Sequence, residues 1–337
     1  MHSLATGASK GAQPDWFDLL PKTEIHLHLE GAIPLPALWA LVQKYGGDPS
    51  VPDLKALESR FQFRDFTHFL STWVWKSRYI REYDDFRLIA EAVAKDLAAQ
   101  NIRYAEVFYS PGDFVRQKLT LPGITEAIRQ GLSSVPGTEV ALICDLIRDH
   151  GPARGLERVA QVAELKSLGV LGIGLGGSEQ GFPPEPFAPV YEEARKRGLR
   201  TTAHAGEAAG AESVWGALNA LKAERIGHGV RAVEDERLLD HLVEKQIPLE
   251  VCPSSNLRLK VVKSLKEHPI RRLVDRGLLV TVNTDDPAMF GCTLAGEYRL
   301  LEKELGFSRD EIRKLALAGI AATWLPPERK KALAADL

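Results

Sequence analysis

The stretch Glu24-Ile25-His26-Leu27-His28-Leu29-Glu30-Gly31 sets two imidazoles two residues apart. Ile25, Leu27 and Leu29 alternate with polar positions, the period of a strand, so His26 and His28 fall on one face. Two imidazoles so placed can hold one metal ion, with the strand fixing their geometry; Glu30 follows on the same face and Gly31 lets the chain turn. Alone, His-x-His serves core packing equally well. Other stretches bear on the choice: His204-Ala205-Gly206-Glu207, Gly227-His228-Gly229 and Asn283-Thr284-Asp285-Asp286 each close an apolar run. Three imidazoles and a carboxylate suit a borderline cation such as zinc, and His26, His28, His204 and Asp285 supply them with a position left for water. His228 is then available to orient or deprotonate that water, and Glu207 to act as a general acid. Taken singly, His228 reads as readily as a core histidine and Glu207 as a solvated loop carboxylate. Their gathering at one set of strand ends points to chemistry.

The elements that must position these groups are short β-rich runs. They cover residues 23–29, 102–109, 139–146, 171–177, 200–207, 225–229, 248–255 and 278–285. Most are followed by amphipathic segments of helical period, such as 186–197 and 235–245. Alternation of apolar strands with helices implies a parallel sheet covered by helices, and eight repeats imply a closed (β/α)8 TIM barrel. A doubly wound open sheet is the competitor, but no Gly-rich phosphate fingerprint follows the first run. Residues 30–101 are too long for a crossover and contain helical segments at 36–45, with Pro36 at the first position, and 65–80. The stripe Phe66, Phe69, Leu70, Trp73 and Val74 reads as core packing or as a lid over the carboxyl end of the barrel, where an insertion after strand one emerges. Ser308-Arg309-Asp310-Glu311 is a capping box that starts a closing helix.

The 337 residues are 45% hydrophobic and 26% charged, with a net charge of −2. That balance gives no sign of a nucleic-acid or membrane partner, and no apolar run spans a bilayer. Three cysteines, Cys144, Cys252 and Cys292, fit a reducing compartment. The cytoplasm is the expected location, with residues 1–15 a loose tail and 16–337 one barrel domain. Barrel hydrolases with two metals need a bridging ligand near the middle strands. Residues 171–177 contain no lysine or carboxylate, so one metal per chain is expected.

The chain resembles the adenosine and adenine deaminase family of amidohydrolase barrels. The stretches that carry the resemblance are Pro21-Lys22-Thr23-Glu24-Ile25-His26-Leu27-His28-Leu29-Glu30-Gly31-Ala32, Glu106-Val107-Phe108-Tyr109-Ser110-Pro111, Thr202-Ala203-His204-Ala205-Gly206-Glu207, Arg225-Ile226-Gly227-His228-Gly229, Glu250-Val251-Cys252-Pro253-Ser254-Ser255-Asn256 and Asn283-Thr284-Asp285-Asp286-Pro287. They run in the family's order across nearly the whole chain. The resemblance implies hydrolytic replacement of the exocyclic amine at carbon 6 of a small-molecule purine. It implies one zinc ion on His26, His28, His204 and Asp285, with His228 helping the water lose a proton. Glu207 would protonate ring nitrogen 1, Asp286 would meet nitrogen 7, and the Gly177 N–H nitrogen 3. Protonating the ring matters because adenine is a poor electrophile.

Two departures concern the sugar. The best-known adenosine enzymes of the family have Asp, in contact with ribose, where this chain has Glu30. They also have Gly-Asp-Glu where it has Gly177-Ser178-Glu179. The Glu form resembles relatives acting on free adenine or on 5′-modified adenosines. Residues 206–213 and 224–252 resemble bacterial members that deaminate adenosine or aminodeoxyfutalosine. The expected substrate is adenosine or an adenosine-like nucleoside, with free adenine the alternative. A general amidohydrolase would not need Glu207 and Asp286 together. The other zinc deaminase architecture needs a Pro-Cys-x-x-Cys that is missing here. A binding protein descended from an enzyme would be expected to have lost a ligand or the acid.

Overall fold

The computed structural model describes residues 13–337. Eight parallel strands form one sheet in chain order: β1 Lys22–His28, β2 Ile102–Tyr109, β3 Glu139–Ile147, β4 Val170–Gly176, β5 Arg200–Ala205, β6 Arg225–His228, β7 Leu249–Val251 and β8 Val280–Val282. The sheet closes on itself at β1. The His28 N–H donates to the Asp285 carbonyl and the Asp285 N–H to the His26 carbonyl, each at 2.9 Å. Side chains reinforce the seam: Asn283 accepts the Ile25 N–H at 3.1 Å and the Thr284 hydroxyl donates to Glu24 at 2.9 Å. The expected (β/α)8 barrel is the one found. β1 is buried throughout, as a strand with barrel core on one side and helices on the other must be.

β7 and β8 are three residues each, shorter than the runs that suggested them. Pro253 cannot donate to a ladder and instead opens the helix Pro253–Arg258, while Asp285 turns out of the strand at φ +63°. Those irregular ends become the walls of the site.

The insertion between β1 and β2 holds helices α2 Leu35–Lys44, α3 Leu54–Arg60, α4 Phe66–Ser77 and α5 Tyr83–Ala99; a short α1, Trp16–Leu19, precedes β1. α2 starts at Leu35, one residue earlier than expected, so Pro36 takes the second position, where its missing N–H still costs nothing. The buried Asp85 ties the insertion together. It accepts from Lys44 at 2.6 Å, the Tyr45 hydroxyl at 2.6 Å and the Arg81 N–H at 2.8 Å. α4, capped by Asp65, lies over the mouth. Within its aromatic stripe Phe69 is buried and Val74 is 56% exposed, yet Phe69, Leu70, Trp73 and Val74 all line the central cavity; the Phe66 side chain lies outside what is described. Core packing and lid are thus shared along one helix.

The capping box at Ser308 starts the helix Arg309–Ala322, which packs against β1 and β8 across the closing seam. Of the tail expected at 1–15, residues 1–12 lie outside the described residues. Asp15 caps α1 and pairs with Arg299 at 2.8 Å. Among the described residues no helix is long and apolar enough to cross a membrane.

Candidate metal centre and active site

The strand period brings His26 and His28 to one face of β1, and barrel closure brings Asp285 and His204 to meet them. Nε2 of His28 lies 3.2 Å from Nε2 of His204 and 3.4 Å from Oδ1 of Asp285; Nε2 of His26 lies 3.6 Å from the same oxygen. Zinc bonded at about 2.0–2.1 Å to tetrahedral N and O donors sets those donors about 3.3 Å apart, so these spacings fit a shared cation. The buried His26 Nε2 has no hydrogen-bond partner among the described residues, which is costly unless a cation takes its lone pair. Burial pushes the imidazole of His28 down to about 3 and that of His204 well below its ordinary value, leaving both neutral.

Possible ligand atoms of His26, His204, Asp285 and also His228 lie within 4.8 Å of one another. His28 is not among those four, although its Nε2 lies closer to Asp285, at 3.4 Å, than that of His228 does. Nε2 of His228 lies 3.9 Å from Asp285 Oδ2 and 3.7 Å from Glu207 Oε1.

What orients His26 escaped the sequence reading. Its Nδ1 sits 2.7 Å from Glu250 on β7, and the guanidinium of Arg225 lies 2.6 Å from the other carboxylate oxygen. The same guanidinium donates to Glu106, which also accepts the Trp324 N–H at 2.6 Å. With Nδ1–H donated to a fixed carboxylate, Nε2 is turned toward the centre. Burial disfavours charge on this imidazole, but the Asp285 and Glu250 carboxylates outweigh it and raise the ring to about 10, so a cation bound there takes the place of a proton. Asp285 is fixed likewise: its Oδ2 accepts the Ser255 hydroxyl at 2.6 Å. Both Asp285 and His228 hold left-handed backbone angles, φ +63° and +60°. Such strain at non-glycine residues costs about 1–3 kcal/mol each and persists where the surroundings over-determine it.

The tautomer of His228 follows from a chain that starts at a backbone amide. The Ile270 N–H donates to His268 Nδ1 at 3.1 Å. Burial pushes His268 down to about 4, so it is neutral and carries its proton on Nε2. That proton can go only to the oxygen of the Asn256 amide, 3.1 Å away. The Asn256 amide nitrogen therefore faces His228 Nδ1, at 3.3 Å, and donates to it. Burial also holds His228 down to about 4, so the neutral ring bears its proton on Nε2, toward Glu207 and Asp285. A ring in this tautomer presents a donor, and no basic nitrogen, toward Glu207 and Asp285.

Glu207 follows β5 on a loop wrapped around another carboxylate. Glu179 accepts backbone N–H groups from Gly206 at 2.6 Å, Glu207 at 3.2 Å, Ala208 at 2.6 Å and Ala209 at 2.9 Å. Arg148 holds the preceding His204 carbonyl at 2.5 Å. The Glu207 side chain, 11% exposed, projects into the mouth. Burial, then the nearby Asp285 and Glu179 carboxylates, push it well above the ordinary carboxyl range. A carboxyl that stays protonated at neutral pH is a proton donor.

A cavity of about 250 Å³ lies over these groups, lined by His28, His204, Glu207, His228, Asp285 and Asp286 on the polar side. Asp286 is buried, its Oδ1 without a hydrogen-bond partner among the described residues, and it fills the space of a Gly31 side chain: a Cβ there would sit 1.6 Å from that oxygen. Gly177, at φ +96°, also lines the cavity, with Asp149 behind it accepting the Ser178 N–H at 2.8 Å. Glu30 is placed differently. It is absent from the lining and lies buried, its Oε1 accepting the Ser110 N–H at 2.9 Å while its Oε2 has no hydrogen-bond partner among the described residues. Burial raises it to about 7, against the pull of the Ser110 N–H and the buried Lys76 ammonium.

The "Adenosine deaminase" family model matches residues 21–337. An adenine deaminase of Chlorobium phaeobacteroides is 38% identical over 317 residues, 93% of this chain and 94% of its own. An aminodeoxyfutalosine deaminase of Streptomyces avermitilis is 38% identical over 324 residues, 94% and 90% of the two chains. The crystal structure of an amidohydrolase from Burkholderia ambifaria, with bound zinc, is 30% identical, covers 96% of this chain and 93% of its own, and superposes with a TM-score of 0.85. The barrel, the converging donors and the match over almost the whole chain lead to one conclusion: this chain belongs to the adenosine deaminase family.

Proposed function

We propose that the protein is a hydrolytic deaminase acting at carbon 6 of adenosine or an adenosine-like nucleoside, with one zinc ion per chain on His26, His28, His204 and Asp285. The observation that carries this reading is a buried Glu207 carboxyl, held well above its ordinary range, facing the neutral imidazoles of His28 and His204 in one cavity. Zinc on those donors would supply the Lewis acidity that activates a water at neutral pH.

The remaining work falls to side chains. Glu207 gives its proton to ring nitrogen 1, drawing electron density from carbon 6. Asp286, which burial and the Asp285 charge push well above the ordinary range, donates to nitrogen 7. The Gly177 N–H meets nitrogen 3. His228 donates from Nε2 and aims the attacking oxygen at carbon 6. Having lost its proton, Glu207 is the carboxylate nearest His228 Nε2; it takes a proton from the water, passes it to the departing amine and, as the carbonyl forms at carbon 6, takes up the hydroxyl proton and returns to its starting state. The balance is one C–N bond broken and one C–O bond formed, with water consumed and ammonia released.

The cavity supports a nucleoside, because Trp73, Val74 and Asp113 at its rim also line a second cavity that leaves room beyond the base. Free adenine is the second reading, favoured by the withdrawal of Glu30 behind Ser110, out of reach of a sugar in the chamber. A deamination panel of adenine, adenosine and 5′-modified adenosines, followed by absorbance, separates the two. Glu207→Gln should keep zinc and lose about 10²–10⁴-fold in kcat, the usual worth of a general acid. Unchanged turnover, or a preparation without zinc that deaminates at full rate, refutes the assignment.

A further inference from the structure

The second cavity, about 570 Å³, shares Trp73, Val74 and Asp113 with the purine chamber. Arg78, His150 and Arg154 add basic groups to its wall. Arg78 is the C-cap of α4, and Arg154 lies in the first turn of the helix Gly151–Ala163, so lid and barrel bring one guanidinium each. Several surface arginines are engaged elsewhere: Arg87 pairs with Asp84, Arg231 with Glu234, Arg276 with Asp240 and Arg299 with Asp15. Arg78 and Arg154, both exposed, make no ion pair among the described residues. The one carboxylate on this wall, Asp113, is engaged by the Trp73 indole N–H at 2.9 Å, and burial raises it above its ordinary value. The balance of charge is positive.

A purine with carbon 6 at the metal centre carries its nitrogen 9 substituent on the opposite side of the ring system, toward the rim. We propose that the second cavity receives an anionic group, a carboxylate or phosphate, borne on the 5′ side of the substrate's sugar, with Arg78 and Arg154 as its partners. Planar guanidinium forks match both anions, and two of them converging from separate elements read position as well as charge. The inference rests on the nucleoside reading above and narrows its substrate class.

The test is kcat/KM for adenosine, adenosine 5′-monophosphate, adenosine-5′-carboxylate and 5′-methylthioadenosine, which extends the same position without charge. Adenine is included, and every substrate is run on the wild type and on an Arg78→Gln/Arg154→Gln double variant. At least one anionic substrate should exceed adenosine by about tenfold or more, as charge-assisted hydrogen bonds are the strong ones. The double variant should lose that gain while keeping its rate on adenosine within about twofold, since these residues lie outside the chamber. Which anion gains more distinguishes phosphate from carboxylate. Adenosine or 5′-methylthioadenosine outrunning both anions overturns the inference and leaves the deaminase reading standing; so does a double variant that slows all substrates alike. Turnover of adenine with no nucleoside overturns this inference and the nucleoside reading together.

Discussion

Replacing Asn256 by Asp changes one atom and should invert the tautomer of His228. In the native chain the amide oxygen takes the His268 proton and the amide nitrogen donates to His228 Nδ1, at 3.1 Å and 3.3 Å. A carboxylate accepts on both sides, so neutral His228 moves its proton to Nδ1 and presents a bare Nε2 to the reaction. Losing one hydrogen-bond donor aimed at developing charge costs about 10²–10³ in kcat, or about 2.7–4 kcal/mol. The new carboxylate also stabilises the imidazolium, raising His228 from its native value of about 4. Below the raised pKa both ring nitrogens carry protons and the donor returns. The kcat of Asn256→Asp should therefore recover as pH falls, whereas in the native chain His228 stays neutral through the same range. Steady-state absorbance assays across pH give the profile, and ¹⁵N NMR of the imidazole reports the tautomer directly. A kcat near wild type at pH 8, with Nε2 still protonated in the spectrum, refutes the relay.

Three further outcomes are expected. Glu250→Gln removes the charge behind His26 and should weaken zinc binding about 10–100-fold, as is usual for partners of a ligand, measured by competition with a chelator; unaltered affinity would count against Glu250 orienting that ring. His204→Ala should purify without stoichiometric zinc by elemental analysis, and a full complement of metal would remove His204 from the ligand set. Gly31→Ala must displace the Asp286 carboxylate, whose oxygen lies 1.6 Å from the added Cβ; kcat/KM should fall about 10²-fold, the cost of roughly 1 Å of misplacement, with zinc retained, and an unaffected rate would argue that Asp286 does not position the purine.

Much of the site was legible because it lies on elements whose period is local. Alternation along β1 gives the shared face of His26 and His28 without any tertiary information, and eight apolar runs separated by helical patterns suffice for a barrel. The runs over-reached at β7 and β8, where Pro253 and a left-handed Asp285 end the ladder early. A hydrophobic run shows where a strand is buried, and not where its hydrogen bonds stop. Glu179, noted from sequence only as part of a departure from the family's pattern, is the anchor of the loop that carries Glu207, through four backbone amides from another strand's end.

By itself the sequence determined which chemical groups exist and which strand ends present them, because side-chain direction in a strand follows from the two-residue repeat of the backbone. Tertiary structure alone decided how those groups are tuned. The Glu250 that aims His26 is 224 residues from it, the relay that sets the His228 proton runs through Asn256 and His268, and Glu30 turned from the cavity toward Ser110. Hydrogen-bond direction and burial depend on partners that only closure of the barrel brings together, and these set which nitrogen holds a proton and which carboxyl keeps one.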